Sequence, residues 1–325
     1  MIKRILMTVL LLCTFPGRLS PQAEKPATPP DKVQTNSTPS STAPTTTTTV
    51  IRVPVYYVDV PLTVTDKKGR LVIMMTKDDF NLFEDGKPQT IDYFSRETDL
   101  AMRIGLLIDT SNSIRDRLRF EQQAATDFLT DTIRRGKDQA FVLGFDVEPQ
   151  MVQDYTDNVE KLAAAIHSLQ AGGVTCLYDA IFLACKEKLY FFPPPEPYLR
   201  KLMILISDGE DNHSEHTREE ALAMAQRAGV TIFAISTNRS GAEERGDKVL
   251  KRLAHETGGQ AYFPFEASDL AEDFRAIGRD LRTQFLINYR SSNAARDGTY
   301  RAISVVPVNK TLTVRAKTGY FAPTQ

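Results

Sequence analysis

The chain lacks a surplus of either charge: 40 Lys and Arg stand against 41 Asp and Glu in 325 residues, a net charge of −1. That balance argues against nucleic acid as a partner, because nothing supplies the basic excess that phosphate backbones or anionic membrane surfaces attract. Cysteine is scarce, with three in all. Cys13 lies in an apolar leader, and Cys176 and Cys185 fall in one predicted helix. There a rise of about 1.5 Å per residue holds them roughly 13 Å apart, beyond disulfide reach, so both are read as buried free thiols. There is no G-x-S-x-G elbow to serve a nucleophilic serine with His167, His213, His216 or His255, which argues against a serine hydrolase. Long apolar runs are confined to the start. "MIKRILMTVLLLCTF" has two basic residues and then about 11 mostly apolar ones, too few for an ordinary membrane span and the right length for a signal peptide. The expectation is a bacterial protein exported to the periplasm, the cell surface or the medium. An uncleaved amino-terminal anchor is the alternative, and the only membrane contact expected.

What is present divides into five segments. Residues 1–23 form the signal peptide. Residues 24–50, "EKPATPPDKVQTNSTPSSTAPTTTTTV", are almost all Pro, Thr, Ser and charge, and bury too little to offset the entropy of ordering, so they read as a disordered linker. From 51 to 100 the apolar spacing has period two, broken by "KKGR" and "EDG", which predicts short antiparallel strands. Residues 285–325 repeat this character in "QFLINYRS", "TYRAISVVPV" and "LTVRAKTGYF". Between these flanks, 101–284 alternate strand and helix. Continuous apolar runs at "RIGLLID", "QAFVLGF", "KLMILIS", "VTIFAIS" and "QAYFPF" predict strands buried on both faces. Helices are predicted over 114–134, 158–170, 176–190, 217–228, 246–257 and 268–283, with Asn158 and Ser268 as caps for two of them. The fold class is α/β: a doubly wound, Rossmann-like, mainly parallel sheet, with a small antiparallel β-sandwich made by the two flanks.

In such a sheet ligands sit at the carboxyl ends of the strands. The first apolar strand ends in "DTSNS", placing Asp109, Ser111 and Ser113 two residues apart and aimed to one side of an extended loop. The strand "KLMILIS" ends in "SDG", with Asp208 at the corresponding edge, and "AGGVTC" places Thr175 at a helix entry. Each has a bland reading: Ser111, Ser113 and Thr175 as helix caps, and Asp208 as the start of a turn with Gly209. Together they supply hard oxygens from three segments, the donor set of a hard divalent cation such as Mg²⁺, with Mn²⁺ or Ca²⁺ as alternates.

"DTSNS", "GGVT" and "SDG", in that order on an α/β pattern, resemble the von Willebrand factor type A domain and its metal-ion-dependent adhesion site (MIDAS). The likeness covers 103–284. It implies that Asp109, Ser111, Ser113, Thr175 and Asp208 hold the metal, directly or through water. It also implies a non-enzymatic protein-binding module for adhesion or assembly, whose ion takes an exposed acidic side chain of a protein ligand. "VTDKKGRLV", "TKDDFNLFEDGKPQTIDYF" and the closing "GYF" further resemble an exported family described mainly from acidobacteria. Three alternatives stand beside this: a zinc site at His213 and His216 with Glu215, a metal-dependent hydrolase or phosphatase using Glu210, Asp211 or Asp179, and an adaptor subunit of an envelope assembly complex. No feature of the sequence signals an oligomeric state.

Overall fold

The computed structural model describes residues 56–96, 99–191, 199–238, 240 and 242–324, and the predicted signal peptide and linker lie outside them. The alternating amino-terminal stretch forms β1 (Tyr57–Thr65), β2 (Phe80–Glu84), β3 (Lys87–Gln89) and β4 (Tyr93–Ser95). β2 and β3 join through Asp85 and Gly86, both with positive φ (48° and 75°), the two-residue turn that a right-twisted hairpin favours.

The α/β segment follows as β5 (Met102–Asp109), α1 (Leu118–Thr132), β6 (Gln139–Phe145), β7 (Pro149–Thr156), α2 (Val159–Ser168), α3 (Leu177–Leu183), β8 (Arg200–Ser207), α4 (Arg218–Ala228), β9 (Thr231–Ser236), α5 (Arg245–Glu256), β10 (Ala261–Tyr262) and α6 (Ala267–Leu281). Its sheet has the order β10-β9-β8-β5-β6-β7, parallel throughout except for β7, which runs antiparallel to β6 at the edge. β7 is absent from the strands expected from sequence: its "PQMVQDYT" is largely polar and half-exposed, as an edge position allows. Asn158 caps α2 as expected, its side chain accepting the Lys161 N–H. At α6 the cap is Glu266 rather than Ser268. Asp269 accepts the Glu266 N–H at 2.9 Å, so this reciprocal pair starts the helix before the serine is reached. The helix predicted over 176–190 is α3 continued by a π-helical turn at Ala184–Leu189.

The carboxyl-terminal strands are β11 (Phe285–Arg290), β12 (Tyr300–Pro307), β13 (Thr313–Ala316) and β14 (Gly319–Phe321). They interleave with the amino-terminal ones in two four-stranded sheets, β13-β1-β11-β4 and β14-β12-β2-β3. Period-two alternation puts Val58, Val60, Leu62 and Val64 of β1 inward against Phe80 and Leu82 of β2 and Ile287 and Tyr289 of β11. The strands on either side of the α/β segment thus complete one sandwich core, and the α/β segment is inserted between them. All described residues belong to one compact unit.

Both faces of the parallel sheet are covered. Leu106 and Ile108 point to a core with α1, α2 and α6, while Leu107, Phe141 and Leu205 point to one with α3, α4 and α5. At about 25 cal/mol per Å² of apolar surface, such two-sided burial holds the strands rigid and makes their carboxyl ends a fixed platform. Strand order reverses at β5, which pairs with β6 on one side and β8 on the other. The crevice of a doubly wound sheet opens outside such a reversal, here above Asp109 and Ser207. Among the described residues no helix is long and apolar enough to cross a membrane.

Candidate metal centre

The β5–β8 register, Ile108 beside Ile206, brings Asp109 next to Ser207 at the sheet edge. Asp109 is fully buried. Its Oδ1 accepts the Ser111 backbone N–H at 2.8 Å and its Oδ2 accepts the Ser207 hydroxyl at 2.7 Å. Burial pushes its carboxyl up to about 6, the hydrogen bonds from Ser111 and Ser207 opposing that rise. A carboxylate in this position is fixed in orientation and short of positive charge.

Ser111 and Ser113 do not cap a helix. Ser111 precedes a short 3₁₀ turn, Asn112–Ile114, without a side-chain capping bond, and α1 starts only after Arg117. Their hydroxyls instead lie 2.9 Å from each other, and Ser113 Oγ donates to Asp208 Oδ2 at 2.8 Å. Asp208 does begin a turn: its Oδ1 accepts the Glu210 N–H at 3.0 Å, which leaves Oδ2 to face Ser113. Thr175 is buried and does not cap α3 either, since Cys176 occupies that position. The Thr175 N–H donates to Asn212 Oδ1 at 3.0 Å, and its carbonyl accepts the N–H groups of Asn212 and His213. The glycine loop before it is tied to the first loop, Gly172 N–H to Thr110 O at 2.7 Å and Asn112 Nδ2 to Gly173 O at 3.2 Å. All three predicted segments therefore meet at one edge.

The oxygens of Ser111, Ser113 and Asp208 lie at a spacing that a hard cation can use. Octahedral ligands at about 2.0 to 2.1 Å stand about 2.9 to 3.0 Å from their neighbours along an edge. The Ser111–Ser113 and Ser113–Asp208 oxygen pairs, 2.9 and 2.8 Å apart, have that spacing. All donors are oxygen, two of them carboxylate. Among the described residues no group of three His, Cys, Asp or Glu gathers to hold a metal, so the hydroxyls are indispensable to any site here.

Asp179, Asp211 and His216, near the crevice, serve the loops. Asp179 accepts the N–H groups of Glu215 and His216, each at 2.9 Å, and pairs with His216 Nδ1 at 2.6 Å. Burial raises its carboxyl, but those donors outweigh it and leave the group below the usual carboxylate range. His216 also stacks on Phe182 at 3.8 Å. Asp211 accepts the Tyr178 N–H at the start of α3 and the Ser214 hydroxyl. These contacts hold the loop 208–217 over the threonine.

Three residues that the sequence reading passed over complete the arrangement. Ser207 orients Asp109 and accepts the Gly209 N–H at 3.0 Å. Asn212 clasps Thr175. Gly246, at the start of α5, lets that helix press on the loop: a Cβ there would stand 2.0 Å from the Asp208 carbonyl oxygen. A hydroxyl directly before "DG" was a usable signal for Ser207; nothing local marks Asn212 or Gly246.

Residues 104–210 match the family described as the von Willebrand factor type A domain. No curated protein matches the chain. Among solved structures, a von Willebrand factor type A protein from Catenulispora acidiphila is 15% identical over 75% of this chain and 71% of that one, with a TM-score of 0.47. The PilB minor pilin from Streptococcus sanguinis is 13% identical over 57% of this chain, with a TM-score of 0.44. Proximal thread matrix protein 1 from the mussel byssus, solved with a zinc-occupied MIDAS motif, is 16% identical over 61% of this chain, with a TM-score of 0.47. This chain spans 62% of the pilin and 49% of the byssus protein.

Proposed function

We propose that the chain, whose residues 104–210 match the family described as the von Willebrand factor type A domain, is an exported, non-enzymatic binding module. In this reading Asp109, Ser111, Ser113, Thr175 and Asp208 hold Mg²⁺ or Mn²⁺, and the site takes an acidic side chain of a protein partner. The observation that carries it is the Ser111–Ser113–Asp208 oxygen array, next in the chain to a buried Asp109 at the strand reversal. A divalent ion there would supply an electrophilic centre that an outside carboxylate can join. The chain's own part is orientation. Ser207 and the Ser111 N–H aim Asp109, the Asn212 clasp holds Thr175 in place, and the exposed Ser113 leaves the site open to a partner. Two carboxylates against a dication leave no net charge on the site, so the hydroxyl ligands, being weak, keep the centre attractive to an anion. Of the three acids that a hydrolase could use, Asp179 and Asp211 give their oxygens to loop backbone and hydroxyl groups, which favours binding over acid–base turnover at those two, while Glu210 is exposed.

Isothermal titration of the full chain with Mg²⁺ and Mn²⁺ tests this. One ion per chain is expected, and Ser113→Ala and Asp208→Ala should each weaken it at least tenfold. Partner capture should end on adding EDTA. Unaltered ion binding in both variants, or capture indifferent to EDTA, refutes the reading. Turnover of a phosphoester or ester with Mg²⁺, lost in Asp109→Asn, would replace the module by a hydrolase.

A further inference from the structure

At the opposite end of β8 from the metal centre lies a cavity of about 310 Å³, bounded by β1 and β14 of the sandwich and by the carboxyl end of α4. Lys201 is the second residue of β8, and Ser207 the last, so the cavity and the metal centre are separated by about 20 Å at about 3.3 Å per residue. Two ammonium groups, of Lys201 and Lys317, line this cavity. Neither makes a hydrogen bond or ion pair with any described residue. Lys201 Nζ packs beside Gly229 and lies 5.8 Å from the Phe191 ring centroid, and Lys317 Nζ lies 5.6 Å from that of Tyr320. Only one described carboxylate lines the space, Asp59, and its Oδ1 already accepts the Asn288 amide at 2.7 Å. Arg227, whose guanidinium sits 3.8 Å over the Phe321 ring, adds positive charge from an exposed position.

Two sheltered cations beside one carboxylate are costly, because burial disfavours a charge that lacks a partner. Burial accordingly lowers both lysines to about 8; Asp59 opposes this in each, and Lys201 reinforces it at Lys317. Lys201, Lys317 and Asp59 together carry a charge of +1, and the exposed Arg227 and Arg296 at the rim add to it, so the lining favours an anion. The wall also carries the rings of Tyr56, Tyr190, Phe191 and Tyr320, beside the polar side chains of Gln226, Thr231 and Thr257, and a concave space that combines aromatic surface with a few convergent polar groups is the form of a small-molecule site.

We propose that this cavity binds a small organic monocarboxylate, its carboxylate between Lys201 and Lys317 and its apolar or aromatic body against the tyrosine and phenylalanine rings. The site is separate from the metal centre, and its occupancy does not require a divalent ion.

Phenylacetate is a suitable probe, with 2-phenylethanol as the uncharged analogue of similar shape, both titrated into the full chain in EDTA so that the metal centre is silent. Phenylacetate should give a saturable rise in melting temperature, 2-phenylethanol at least tenfold weaker binding, and Lys201→Met or Lys317→Met at least a tenfold loss. The same variants should melt higher than wild type without ligand, since each removes an unpaired sheltered charge. Trace acetylation of the wild type at pH 8 gives a readout free of any folding defect. Phenylacetate should slow labelling of Lys201 and Lys317 at least fivefold relative to the exposed Lys310. Equal binding of the two probes, no binding of phenylacetate, or unprotected lysines would overturn the proposal. So would destabilisation by both substitutions, which would make the lysines structural partners of Asp59.

Discussion

Replacing Asp109 by asparagine should stabilise the metal-free protein at neutral and alkaline pH while removing its response to Mg²⁺. Asp109 is fully buried, and burial pushes its carboxyl up to about 6 despite the hydrogen bonds from Ser111 and Ser207. An unfolded aspartate titrates near 3.9. The folded chain therefore holds this proton more tightly than the unfolded one. Stability from the group is fully present below about pH 3.9 and is lost as pH rises through about 6. The difference amounts to about 3 kcal/mol at pH 8, at about 1.36 kcal/mol per pH unit. Asparagine does not titrate, so the stability gap between Asp109→Asn and wild type should widen by about 2 to 3 kcal/mol from pH 4 to pH 8. The amide also changes the bond with Ser207, which shifts the gap by a constant; only its pH dependence belongs to the carboxylate. Saturating Mg²⁺ at a hundred times its Kd should restore about 2.7 kcal/mol to wild type at pH 8, and nothing to the variant. Urea unfolding of metal-stripped protein gives these values. Circular dichroism is the appropriate signal because the chain has no Trp. A gap that stays constant between pH 4 and pH 8, or equal stabilisation of both proteins by Mg²⁺, would refute the assignment of Asp109 as a buried, ion-compensated carboxylate.

Gly246→Ala should destabilise the fold by about 1 to 3 kcal/mol, since its Cβ would meet the Asp208 carbonyl oxygen at 2.0 Å and α5 must retreat. Calorimetry with and without Mg²⁺ should also show a weaker ion response, because the retreat moves the loop that carries Asp208. Cys176 and Cys185 are buried, and burial pushes the Cys176 thiol up to about 12 and that of Cys185 upward as well. A disulfide reagent at pH 8 should therefore label neither in the folded chain and both in urea. Rapid labelling of Cys176 under native conditions would mean that the loop at Thr175 opens.

The parallel strands were legible because burial on both faces leaves only apolar residues in their interiors, 104–108 and 202–206, and length with turn residues separates such runs from helices. β7 was not legible for the opposite reason. An edge strand needs pairing on one side only, and "PQMVQDYT" keeps its polar residues in solvent. The helix boundaries drifted where the first turn is closed by a residue outside the apolar pattern, as at Glu266, which preempts Ser268.

At the candidate metal centre, residue type and spacing in the sequence singled out Asp109, Ser111, Ser113, Thr175 and Asp208, and strands that end at a sheet reversal deliver the aspartate and serine residues to one crevice. Whether those hydroxyls would cap helices or face one another is a question of where α1 and α3 begin and how the three loops pack. Only the tertiary structure answers it: Ser111 and Ser113 turn to Asp208, and Ser207, Asn212 and Gly246 hold the arrangement from outside the motif. The lysine cavity belongs wholly to that second category. Lys201 and Lys317 lie more than a hundred residues apart, and they share a cavity because the strands that flank the α/β segment close a sandwich beside the start of β8. Local pattern encodes which face of an element is apolar; the meeting of distant polar groups depends on long-range packing, which no short stretch of sequence contains.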